Sequence, residues 1–228
     1  MGIPQSYSRE LPERCMQLID ILLPRAAELT VPGEAHLGPL TTTFLVAMAT
    51  PMILLPLERV KRHREGVPGA YMNERPLDAA LAHAVDVALG ASPLQRSPFF
   101  RPAQWRFATI PYDGENVAEH FPDHLQNRLG DSAAEAAAAR MPAEQWSGCL
   151  RNALAHGGIV YLDDTGRQSF GGRVTQLAFV SASYPRGEGR QPPDQLRALR
   201  ISEQGFYIFL QNWTRWLGET GLSVRLAA

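Results

Sequence analysis

Three polar side chains are set into an otherwise apolar helical stretch. They are Arg151, Asn152 and His156, within Trp146-Ser-Gly-Cys-Leu-Arg-Asn-Ala-Leu-Ala-His-Gly-Gly158. A guanidinium offers a planar fork of donors that fits a phosphate. An imidazole titrates near neutral pH and moves protons in either direction. Without a metal, such a pair suits transesterification of an RNA phosphodiester, because the substrate's own 2′-hydroxyl is the nucleophile. The protein then has only to carry protons and offset the charge of a phosphorane-like transition state. In this scheme neutral His156 accepts the 2′-proton and a protonated histidine gives one to the leaving 5′-oxygen. Arg151 holds the scissile phosphate, and Asn152 orients the imidazole or a phosphate oxygen.

Helical geometry limits how these groups meet. Asn152 and His156 are four residues apart and share a face. Arg151 and His156 are five apart, which places them roughly 140° from each other around the axis. One imidazole also cannot act as base and acid in the same step. Two copies related by a two-fold axis would bring two Arg and two His to one cleft. A homodimer is therefore expected.

The string Arg151-Asn152-Ala-Leu-Ala-His156-Gly157 resembles the signature of the HEPN superfamily, α-helical and usually dimeric domains that include many metal-independent endoribonucleases. The helix from Thr42 to Arg59 and the final tryptophan-rich helix resemble standalone bacterial proteins of that kind. The resemblance implies that Arg151 and His156 are the catalytic pair, with Asn152 the polar residue that often follows the arginine. It implies cleavage of single-stranded RNA without a metal or other cofactor.

A plainer reading competes. A histidine in a last helical turn, followed by glycine, is favourable simply because it meets the negative end of the helix dipole, and Arg151 could be an ordinary solvated side chain. Two other function classes therefore stay open. One is a non-catalytic HEPN-like module that binds RNA or a nucleotide. The other is a structural, partner-binding helical protein of a toxin–antitoxin or defence system, with an antitoxin or regulatory protein as partner.

The elements that must position these residues read as follows. Met141-Pro142-Ala-Glu144 starts the motif helix and Gly157-Gly158 stops it. Residues 8–29 have an amphipathic pattern, with Pro24 kinking or ending the helix. Residues 40–57 are apolar almost all round and long enough to raise a membrane span. Thr41, Thr42, Thr43, Thr50, Pro51 and Pro56 favour a buried bundle helix instead. Residues 76–89 form a third helix. Residues 91–130 are the least legible; their aromatics and prolines suggest an ordered, packed loop that lines a pocket. A short helix over 131–140 leads into the motif helix. The period then becomes alternating: Ile159-Val-Tyr-Leu162 and residues 174–180 read as strands about an Asp163-Asp-Thr-Gly166 turn, with a third over 196–201. Ser202 caps a last helix bearing Phe206, Phe209, Leu210, Trp213, Trp216 and Leu217. The expected fold class is mainly α, a HEPN-like helical bundle with a small antiparallel β-sheet inserted between the motif helix and the C-terminal helix. A single domain is expected over 1–228, the insertion occupying 158–202.

Composition sets outer bounds. Of 228 residues, 45% are hydrophobic and 20% charged, values typical of a globular domain. The net charge of −1 supplies no global field for nucleic acid, so an RNA site must be a local patch. The run Arg59-Val-Lys61-Arg62-His63-Arg64 offers one, making Arg59, Lys61, Arg62 and Arg64 candidate phosphate contacts. A solvated, dipole-complementing helix end is the commoner meaning of such a run. His120 and His124, four apart among acids, have metal-like spacing. Pro122 between them argues for a surface turn, and no metal site is expected. Cys15 and Cys149 lack the spacing of a disulfide framework or redox pair. No P-loop, dinucleotide fingerprint or nucleophile elbow is present in the sequence. Residues 1–20 lack a signal-type apolar core, so a cytoplasmic location is expected.

Overall fold

A computed structural model describes residues 2–61, 72–168, 171–185 and 192–220. Among them are seven α-helices and one four-stranded antiparallel sheet. Helix α1 spans Tyr7–Ala26, α2 Thr41–Pro56 with a π turn at Leu57–Lys61, and α3 Ala79–Ala88. Strand β1 (Arg106–Pro111) precedes α4 (Asp123–Gly130), α5 (Ala133–Arg140) and the motif helix α6 (Ala143–His156). Strands β2 (Ile159–Leu162), β3 (Gln176–Ser183) and β4 (Gln195–Ser202) follow, and α7 (Glu203–Glu219) completes the order.

The mainly helical composition with a small antiparallel sheet matches expectation; the sheet's place in the chain does not. Among the described residues, three strands lie between α6 and α7. The fourth, β1, comes from the stretch that reads as a packed loop, and it pairs with β4 from Arg106↔Arg200 to Pro111↔Gln195. The strand order is β1-β4-β3-β2. The chain thus enters at one edge, leaves through three helices, re-enters at the other edge and meanders back. The sheet is part of the scaffold that carries α6, not an insertion beside it.

Period-two side chains give the sheet two apolar faces. Leu177, Phe179, Leu199 and Ile201 join the larger core with α1, α2, α3, α6 and α7. Ala178, Val180, Leu196 and Ala198 face the other way, onto Phe121, Leu125 and Leu129 of α4 and its approach. The larger core centres on aromatics that surround the motif helix. Trp146 stacks on Phe99 at 5.4 Å between ring centroids and meets Trp105 and Phe209 edge-on at 5.5 Å. Phe99 and Trp105 are therefore core residues. The Trp213 indole donates to the Met52 carbonyl at 2.9 Å, joining α7 to α2. The Thr41–Lys61 helix is long and apolar enough to cross a membrane; in this fold it contacts α1, α6 and α7.

Candidate functional site

Helix α6 is fixed at both ends by backbone chemistry. Pro142 sits at its N-cap, and two of the first free N–H groups are taken up by loop carbonyls: Ala143 donates to Ser92 and Glu144 to Gly90, each at 2.9 Å. At the other end Gly157 adopts φ 75°, a left-handed conformation that suits glycine. Gly158 is needed for a different reason. A Cβ there would lie 2.2 Å from the Val180 carbonyl oxygen, and that close approach lets Val180 N–H bond the Gly158 carbonyl at 2.7 Å. The two glycines turn the chain and seat it on β3. They are accounted for before any chemistry is invoked.

Arg151 is held on two sides. Its Nε donates to Glu58 Oε1 at 2.6 Å, and its Nη1 donates to Asn152 Oδ1 at 2.7 Å. Its side chain is 22% exposed, so the guanidinium is fixed yet reachable. The structure therefore brings Arg151 and Asn152 together. His156, five residues on, is exposed in the last turn, and among the described residues its imidazole makes no hydrogen bond. Among the described residues no hydrogen bond joins it to Arg151, whose partners are Glu58 and Asn152.

The residue that sequence reasoning missed is Glu58. It belongs to the π turn at the end of α2, and it is the only acid between residues 35 and 64. A lone carboxylate ending a long apolar helix was the available signal, masked by the basic run that follows it.

Two members of that run are not free phosphate contacts. Arg59 donates to Glu74 Oε1 at 2.8 Å and lies over the Tyr7 ring at 4.4 Å from its centroid. Glu74 is itself buried and also accepts the Ser8 N–H at 3.0 Å. Arg59 thus ties α2 to the start of α1. The Lys61 ammonium donates to Ser147 Oγ on α6, and that hydroxyl bonds the Glu144 carbonyl at 3.1 Å. Burial holds the Lys61 pKa down to about 8, with the Glu144 carboxylate partly opposing. Arg62 and Arg64 lie outside the described residues. The π turn therefore faces α6 with Lys61 on Ser147 and Glu58 on Arg151, one helical turn apart.

Other candidate groups are placed elsewhere. His120 follows a turn and His124 lies in the first turn of α4; His120 Nε2 is 3.7 Å from Asp123 Oδ1. Among the described residues no three His, Cys, Asp or Glu side chains gather as a metal site needs. Cys149 is buried against the Phe179 and Arg197 carbonyls, and burial raises its thiol pKa to about 11. A thiol so protonated is a poor nucleophile.

No family model matches the chain, and neither a curated protein nor a solved structure shows significant similarity to it.

Proposed function

We propose that the chain is a metal-independent endoribonuclease of HEPN type. It cleaves single-stranded RNA at a cleft shared by two copies. The observation that carries this reading is the setting of Arg151, fixed through Nε by Glu58 and through Nη1 by Asn152. This leaves the outer Nη edge for a phosphate, on the same helix as an exposed His156. The Arg-Asn-x-x-x-His string supports it as a resemblance. In the reaction the 2′-oxygen attacks the adjacent phosphorus and the bond to the 5′-oxygen breaks. His156 of one copy takes the 2′-proton, and a protonated His156 of the other supplies the leaving 5′-oxygen. The products are a 2′,3′-cyclic phosphate and a 5′-hydroxyl.

The test uses synthetic RNA in EDTA with wild type, His156→Ala and Arg151→Ala. Expected is cleavage by wild type alone, abolished by a 2′-deoxy residue just 5′ of the cut. Both variants should fold nearly as wild type, since His156 is exposed and the Glu58–Arg151 pair, open to water, adds little to stability. Cleavage that needs Mg²⁺, leaves a 5′-phosphate or survives in His156→Ala overturns the reading. A second reading, a non-catalytic RNA-binding or partner-binding module, draws on the internal Glu58–Arg151 pair. RNA binding weakened by Arg151→Ala with no cleavage by wild type would favour it.

A further inference from the structure

A second arginine stands on the opposite face of the sheet from α6, independent of the nuclease reading. Arg200 lies in mid-β4 on the side of Leu196 and Ala198, and it is 7% exposed. Its Nε is buried without a hydrogen-bond partner, and among the described residues no carboxylate pairs with it. Its Nη1 is pressed against the Asp163–Gly166 turn: a Cβ at Gly166 would lie 2.1 Å from it. Of the turn's two acids, Asp164 is exposed to solvent and Asp163 is engaged within the turn, accepting from Thr165 N–H at 2.9 Å, Thr165 Oγ at 2.7 Å and Arg167 N–H at 3.0 Å.

The neighbouring strand adds charge of the same sign. Arg106 is the register partner of Arg200 on β1. Arg106 is matched, by Glu135 and by the Leu129, Gly130 and Asp131 carbonyls at 3.1–3.2 Å. Arg200 is not. Burial and the Arg106 charge both press its pKa down, but a guanidinium does not shed its proton in a protein. An uncompensated buried cation is costly, and chains rarely keep one without an anion to meet it.

We propose that Arg200 is the anchor of an oxyanion-binding site beside the Asp163–Gly166 turn, taking a phosphoryl group. The guanidinium fork matches phosphate bidentately. The phosphoryl group is either free phosphate or the phosphate of a nucleotide.

The experiment is thermal unfolding of the full chain at fixed ionic strength, with chloride replaced by inorganic phosphate or, separately, by AMP. Wild type should show a saturating rise in Tm, as a ligand of the folded state produces. Arg200→Met should show none, while unfolding no earlier than wild type in chloride. Arg200→Lys, which keeps the charge and loses the fork, should need about tenfold more phosphate; it also serves if the methionine variant fails to fold. A shift with phosphate assigns the site to the free ion, and a shift with AMP alone assigns it to a nucleotide. Equal shifts in wild type and Arg200→Met, or no shift with either ligand, overturn the proposal.

Discussion

The pair Glu58–Arg151 shows how little a contact's strength says about its role. Its side chains are 37% and 22% exposed, and an ion pair so open to water adds about 0–1 kcal/mol to stability. What it supplies is direction: with Nε bound, the guanidinium plane is fixed. If Arg151 holds phosphate, Glu58→Ala should leave the fold almost untouched and lower kcat about tenfold, with KM changing less. Glu58→Gln, which keeps an acceptor for Nε, should recover most of the rate. Single-turnover kinetics beside denaturant unfolding checks this; loss of stability at unchanged kcat would make Glu58 structural. Lys61 poses the reverse case, a cation that is costly to bury. Its pKa is held near 8 against an ordinary 10.5, so the unfolded chain binds the proton more tightly. The cost is complete below about pH 8 and fades as pH rises toward 10.5. Wild type should therefore gain stability across that window relative to Lys61→Met, which has nothing to titrate. Unfolding curves at the two ends of the window measure it, and parallel pH dependence in the two proteins would contradict the half-buried, protonated lysine.

At the scale of elements, helices whose apolar residues recur at helical spacing were legible, and contacts between distant segments were not. Trp146, Cys149, Leu150, Ala153 and Leu154 mark α6 and are all buried in it, and Ser202 caps α7 by accepting from the Gly205 N–H at 3.0 Å. Strand β1 has no such local mark. Arg106, Phe107, Ala108, Thr109, Ile110 and Pro111 acquire their meaning only from β4, which begins at Gln195. Arg59 looked solvated because its partner, Glu74, is fifteen residues away. The Gly157-Gly158 stop was legible as a stop, but its two halves differ physically. Gly157→Ala should cost about 1–2 kcal/mol, the penalty of a left-handed conformation for a residue with Cβ. Around Gly157 nothing lies within 4 Å of a Cβ, whereas at Gly158 a backbone oxygen does. Gly158→Ala should therefore cost more and loosen β2 from β3, as forced overpacking does. Hydrogen exchange at the Val180 N–H reads this directly; equal costs at the two positions would refute the assignment of separate roles.

For the whole molecule, the decisive quantity is how many copies build one site. Within a single chain Arg151 is buttressed, while His156 stands at the helix end with no bond to it, and one imidazole cannot serve both ends of the reaction. If two copies share the cleft, each active unit needs two intact histidines. Wild type and His156→Ala can be mixed under conditions where subunits exchange freely, at constant total protein. A shared site predicts that cleavage falls as the square of the wild-type fraction, because a mixed pair has lost one proton-transfer group. A site complete within each chain predicts a fall in simple proportion. Light scattering establishes the dimer, and the shape of the mixing curve then tests its catalytic meaning. A linear curve from a proven dimer would leave the two-fold axis as architecture alone and return the second proton to water or to another group near Arg151.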